Sequence, residues 1–206
     1  MKRRIFPALC ALCLACGLAS AQSTAPQRKT PQRAAPQRSV PQRERILDYH
    51  SDIDVGENGE MHVRETIRVY SMGQQIRHGI YRDFPTHYRD RIGNAYVVGF
   101  HFLGALRDGA QETWRVEDVS NGERVYLGNS NAMLPPGTHL YELNYSTDRQ
   151  LGFFGDHDEL FWNATGNGWA FPIDSASANV RLPEKIPADD VKLSGYTGRQ
   201  GSLDQD

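Results

Sequence analysis

From residue 46 to residue 70, polar and apolar side chains alternate with a period of two, interrupted once by Gly56-Glu57-Asn58-Gly59. Successive residues of a strand point to opposite faces, so this pattern commits the segment to half-buried β-structure. Leu47, Tyr49, Ser51, Ile53 and Val55 fall on one face of the first strand, with Asp48, His50, Asp52 and Asp54 on the other. Met61, Val63, Ile67 and Val69 form the apolar face of the second, opposite His62, Arg64, Thr66 and Arg68. Asn-Gly favours the left-handed backbone of a tight hairpin turn, so a β-hairpin over 46–70 is expected. Glu65 breaks the rule by standing on the apolar face. A buried carboxylate is costly unless paired, and the cationic candidates beyond its own strand are Arg77 and Arg82. An internal Glu65–Arg82 or Glu65–Arg77 pair is expected.

The rest of the body repeats this pattern in shorter pieces. Tyr96 to Phe102 reads as a strand, and Thr113–Val119 with Arg124–Leu127 reads as a hairpin around Asn121-Gly122. Thr138 to Tyr145 alternates with Tyr141, Leu143 and Tyr145 inward. Phe161-Trp162 reads as a short aromatic strand, and Val180-Arg181-Leu182 as the end of another before Pro183. No stretch sustains an apolar period of 3.6 with caps. Many short strands between Gly, Pro and Asn turns predict an all-β fold, an antiparallel β-sandwich of immunoglobulin-like or jelly-roll-like kind.

Residues 1–21 have the layout of a secretory signal: Lys2, Arg3 and Arg4, an apolar run from Ile5 to Leu18, then Ala19-Ser20-Ala21. The rivals are an uncleaved anchor or lipid attachment at Cys16. Cys10, Cys13 and Cys16 all lie within this segment, so the exported chain is expected to hold no disulfide and no thiolate site. Residues 22–45 form a basic linker in which Pro26, Pro31, Pro36 and Pro41 are each followed by Gln and Arg. Repeated prolines block pairing and favour an extended tether, about 60 Å long over residues 26–45 at roughly 3.1 Å per residue. Residues 1–43 carry eight Lys and Arg and no acid; the remainder carries fifteen against twenty-five Asp and Glu. An acidic body repels phosphate backbones, which argues against nucleic acid as a partner.

Three segments are more specific than this patterning. They are Val63-Arg64-Glu65-Thr66-Ile67, then His78-Gly79-Ile80-Tyr81-Arg82-Asp83-Phe84-Pro85, then Asp158-Glu159-Leu160-Phe161-Trp162-Asn163-Ala164-Thr165-Gly166-Asn167-Gly168-Trp169 with Phe171-Pro172-Ile173. In this order they resemble the extracytoplasmic amino-terminal domain of DUF2207, a family of predicted bacterial membrane proteins, over about residues 46–201. The resemblance implies a domain outside the cytoplasmic membrane, followed in the family by further strands and membrane helices. It implies no catalytic role. On this reading the domain of residues 46–206 lacks its final strands.

Several residues invite functional readings. Asp156, His157, Asp158 and Glu159 have metal-ligating chemistry, but their spacing matches no EF-hand or zincin signature, and a solvated acidic loop explains them as well. Asp158 and Glu159 could form half of a glycosidase pair, which needs a second carboxyl across a cleft. Arg82, Trp114 and Trp169 are ligand-binding candidates, with Trp114, Tyr126 or Trp169 contributing to an aromatic platform. Glu65, Gly79, Arg82, Pro85, Trp162 and Asn163 read as architectural: Gly79 for a tight approach, Pro85 for ending the extended stretch, and Arg82 for its five fixed donors. His50 and His62 could face each other across the hairpin. No nucleophile elbow or phosphate loop is present, and no cofactor is expected. The chain thus reads as a non-enzymatic module of the cell envelope, a scaffold or sensor contacting an envelope protein. The alternatives are a carbohydrate- or peptidoglycan-binding sandwich and an envelope hydrolase.

Overall fold

A computed structural model describes residues 43–90, 92–184, 186–198 and, for the backbone, 204–205. The targeting segment and all but the end of the proline-spaced linker lie outside the described residues.

Strands β1 (Arg45–Val55) and β2 (Met61–Ser71) form the expected hairpin. Gly59 takes a φ of 78° in its turn, where an L side chain is disfavoured. Strand β3 (Ile80–Pro85) leaves for a second layer, and β4 (His87–Arg89) with β5 (Ala95–Val97) makes a short projecting ribbon. The chain returns through β6 (Phe100–Arg107) and β7 (Ala110–Gln111), then forms the second expected hairpin, β8 (Trp114–Val119) and β9 (Gly122–Leu127). Next come β10 (Gly137–Thr147), the ribbon β11 (Leu151–Phe153) with β12 (Asp158–Leu160), and β13 (Ala176–Arg181). A last ribbon joins β14 (Tyr196–Thr197) to β15 (Asp204–Gln205).

The larger layer is a six-stranded sheet in the order β13-β1-β2-β10-β6-β7, and the smaller is β3-β9-β8. The result is an all-β sandwich. Tyr49, Ile53, Val63, Ile67, Tyr141, Leu143 and Tyr145 are buried on the inner face of the large sheet, and Ile80, Phe84, Val125 and Leu127 meet them from the small one. Burying each such aliphatic side chain contributes about 1.5–3 kcal/mol.

Several local expectations change. A bulge between Ile46 and Asp48 shifts the register of β1, so Ile46 rather than Leu47 is turned into the core. The 96–102 run breaks into β5 and β6 at Val98-Gly99. Phe161-Trp162 is not a strand: β12 ends at Leu160, and the chain opens into a loop. His50 lies opposite Thr66 and His62 opposite Asp54, so the two histidines do not face each other. One pairing is parallel rather than antiparallel. β13 runs alongside β1 with Tyr49 opposite Ala176 and Ile53 opposite Val180, because residues 161–175 cross the sandwich and re-enter at the start of β1, where Ile46 bridges Ile173.

Before the first strand, Glu44 acts as a staple. Its buried carboxylate accepts hydrogen bonds from the amides of Met72, Gln74, Gln75 and Ile76 at 2.6–3.1 Å, fixing the exit from β2. Burial alone would raise its pKa, but the four amides outweigh it and the pKa is lowered.

Candidate functional site

Glu65 sits mid-strand in β2, on the inner face and 0% exposed. Of the two cations the sequence offered, Arg82 is its partner. Arg82 Nη2 donates to Glu65 Oε1 at 3.0 Å and Nε donates to Oε2 at 3.1 Å, a bidentate bridge between the two layers. Tyr49 and Tyr145 donate their hydroxyls to the same carboxylate at 2.5 and 2.8 Å. Both tyrosines lie diagonally from Glu65, on β1 and β10, so three strands of the large sheet converge on one residue of the small sheet. Burial raises both tyrosine pKa values, and the neighbouring Glu65 raises them further. Burial works against the charge on Arg82, but Glu65 and the tyrosines hold it above the ordinary guanidinium range. The guanidinium also lies 4.6 Å from the centre of the Phe84 ring.

The third specific segment closes over this cluster. Gly166 has φ 68°, and a methyl group on it would stand 1.8 Å from Arg82 Nη1. Only glycine allows the loop backbone to lie so close to the guanidinium. Around it, Gly166 N donates to Asn163 Oδ1 (3.0 Å), Asn163 Nδ2 to Asn167 Oδ1 (2.8 Å), and Trp169 Nε1 to Thr165 O (2.8 Å). Ser51 donates to Ala164 O at 2.8 Å, and Trp169 meets Tyr49 edge-on at 6.1 Å. The three distinctive segments therefore meet at Glu65, Arg82 and Gly166.

Above this floor is an open groove of about 900 Å³, within the usual range of ligand pockets, about 300–1,000 Å³. Its lining includes Arg82, Phe84 and Tyr145, Tyr88 and Tyr96 from the β4–β5 ribbon, and Phe153, Phe161 and Trp162 from β11 and the loop after β12. Tyr88 and Tyr96 stack on each other at 5.7 Å, whereas Phe153 and Phe161 are 74% and 77% exposed. Polar groups on the rim are held in place by the fold. Arg89 donates to Gly93 O, Arg149 to Val97 O, and Gln150 to Thr147 Oγ1 at 2.9–3.1 Å. Each arginine uses one bond of its five donors in this way.

The other expected site residues lie apart. Trp114 is half-exposed on the face of β8 that meets Phe102, at 4.9 Å. Tyr126 points the opposite way from β9, between Arg115 and Arg124. Trp169 is packed into the loop, so Trp114, Tyr126 and Trp169 share no platform. Gly79 lies against β9: a methyl group there would stand 1.8 Å from Leu127 O. Pro85 ends β3 opposite Gly122.

His157 turns to Asp156 at 2.9 Å and stacks on Phe154, while Asp158 and Glu159, consecutive on β12, point to opposite faces. Among the described residues no three His, Cys, Asp or Glu side chains gather as a metal site. Glu159 lines the groove, and so does Asp90. Asp90 is committed to its own turn through Ile92 and Asn94. Burial alone would raise its pKa, but these bonds lower it, the opposite of what a general acid needs. Phe153 was missed in the sequence, and Phe161 was read there as a strand residue. The signal for Phe153 was Gly152-Phe153-Phe154, adjacent aromatics with no alternation to bury both.

Comparison with known proteins gives one curated relative, the uncharacterized protein YciQ of Escherichia coli (strain K12), 28% identical over 158 residues. The alignment takes in 77% of this chain but 25% of YciQ, so the chain spans about a quarter of that relative's length. Among solved structures, yeast LTA4 hydrolase in complex with bestatin aligns with TM-score 0.37 and 10% identity over 50% of this chain and 14% of that one. An M1 zinc metallopeptidase from Deinococcus radiodurans aligns with TM-score 0.31 and 17% identity over 52% and 21%. Likenesses of that size transfer neither fold nor activity. No helix among the described residues is long and apolar enough to cross a membrane. Residues 45–204 match the family described as predicted membrane protein (DUF2207) N-terminal domain, and this chain belongs to that family.

Proposed function

We propose that this chain is a non-catalytic recognition module of the cell envelope, working outside the cytoplasm, and that the groove over the Glu65–Arg82 cluster is its binding surface. The carrying observation is the pair of largely exposed phenylalanines, Phe153 and Phe161, that line the same groove as Tyr88 and Tyr96. Exposed aromatics beside arginine are the side chains that dominate binding energy at protein interfaces. The floor is rigid because its polar groups are mutually satisfied, so ordering a ligand there carries little conformational penalty for the protein. Export is supported by the layout of residues 1–21. An envelope protein is the partner this reading favours. A glycan is the second reading, favoured by the side-chain amides of Gln150, Asn163 and Asn167 beside the open rings.

The test is sedimentation of the purified full chain with isolated envelope membranes and, separately, with peptidoglycan sacculi. The wild type is expected to sediment with membranes, and the Phe153→Ser/Phe161→Ser variant to remain in the supernatant. Loss of binding to sacculi alone would select the glycan. Equal behaviour of both proteins in both assays contradicts the proposal.

A further inference from the structure

β13 is an edge strand with two very different faces. Its outer face is tied to β1 by side chains: Ser177 to His50, Asn179 to Asp52, and Arg181 to Asp54. Its inner face carries Ala176, Ala178 and Val180, in register with the buried Tyr49, Ser51 and Ile53. Yet these three remain exposed, Val180 at 44%. The second layer does not reach over them.

The backbone at this edge is equally open. Tyr49 N donates to Ser175 O, and backbone groups alternate sides along a strand, so Ser177 and Asn179 also direct theirs to β1. The N–H and C=O groups of Ala176, Ala178 and Val180 therefore point away from the sheet. Among the described residues, no strand pairs with them. The strand contains neither proline nor glycine, and it lacks the inward charge that protects natural edges.

We propose that β13 is a dimerisation edge, pairing antiparallel with β13 of a second copy about a two-fold axis at Ala178. The register is set by which groups face outward. Placing Ala178 opposite its own copy puts Ala176 opposite Val180 on both sides, so each outward-facing donor meets an outward-facing acceptor. A two-fold perpendicular to the sheet keeps the inner faces on one side, so Ala176 packs on Val180 across the junction. The small Ala178 side chain stands at the axis, beside its own copy. Arg181 lies beyond the paired span and stays with Asp54, so no like charges oppose each other. The interface is isologous, as a closed two-fold dimer requires, and the two large sheets become one.

Ala178→Pro isolates this contact. Proline is tolerated where the N–H faces outward from an edge strand, so the β1 ladder is kept while two symmetry-related bonds between the copies are lost. Sedimentation equilibrium of the full chain over rising concentration is expected to show a monomer–dimer equilibrium. In Ala178→Pro the dissociation constant rises roughly ten- to a hundred-fold. Val180→Lys, at an exposed position, serves as the second variant and is expected to weaken the dimer while leaving the thermal midpoint of the dilute monomer unchanged. A wild type that stays monomeric, or a dimer equally tight in both variants, overturns the proposal.

Discussion

Removing Arg82 should be among the most damaging single substitutions available in this chain. Glu65 is 0% exposed and accepts four hydrogen bonds, two from Arg82 and one each from Tyr49 and Tyr145. In Arg82→Met the methionine fills much of the same volume, but the carboxylate keeps only its tyrosine donors and loses its counter-charge. Breaking a buried ion pair by taking away one partner costs about 3–5 kcal/mol. A domain of this size has roughly 5–15 kcal/mol in total, so much of its stability would go. The double variant Glu65→Leu/Arg82→Met removes both charges and should recover part of the loss: the pair itself is close to neutral against a well-packed apolar replacement, but the buried hydroxyls of Tyr49 and Tyr145 lose their acceptor. Urea unfolding of the full chain, followed by tryptophan emission for the wild type, both single variants and the double variant, gives the coupling energy directly. A loss below about 1 kcal/mol in Arg82→Met, the level of an exposed pair, would refute the reasoning.

Gly166→Ala should destabilise by about 2–4 kcal/mol in the same assay, since it adds a methyl group against Arg82 to a left-handed backbone. Glu44→Ala strands four amides at the exit from β2 and should lower stability by about 1–3 kcal/mol, with faster amide exchange at Gln74 to Ile76 as its local signature. Acid should weaken the fold in a defined window. Hydrogen bonds from Arg64 and Asn179 bring the pKa of Asp52 from 3.8 to about 2, and that of Glu44 is lowered from 4.5. Both groups bind protons more readily unfolded, so their contribution is complete above those ordinary values and is lost as pH falls through the folded ones. The urea midpoint should therefore drop from about pH 5 to about pH 2, and less steeply in Asp52→Asn, whose share is about 2 kcal/mol at most. A midpoint that rises on acidification contradicts the assignment.

The first hairpin and the oddity of Glu65 were legible because both depend on local alternation and one Asn-Gly turn. Electrostatics alone offered Arg77 or Arg82 for a carboxylate that had to be buried, and the structure selects Arg82. The parallel docking of β13 on β1 was not legible, since it joins residues 127 positions apart with no period or turn to announce it. Leu47 was misplaced by a bulge, which inverts the facing of one residue without changing the apolar pattern. Phe161-Trp162 was read as a strand because aromatic residues favour pleated surfaces, but here Gly166 and Gly168 pull the following chain into a loop over Arg82. The groove drew only part of its lining from the distinctive motifs. Phe161 belongs to the third distinctive segment, whereas Phe153 comes from β11 and Tyr88 and Tyr96 from the β4–β5 ribbon, and their meeting at one groove is a tertiary result.

The most direct test of the groove as a recognition surface is photo-crosslinking in the cell that exports the chain. A photoreactive residue placed at Phe161, in the groove, is compared with one at Tyr81, exposed on the outer face of the small sheet. The account predicts a discrete adduct from Phe161 that disappears in Gly166→Ala, and none from Tyr81. Adducts of equal yield from both positions, or none from Phe161, would contradict it.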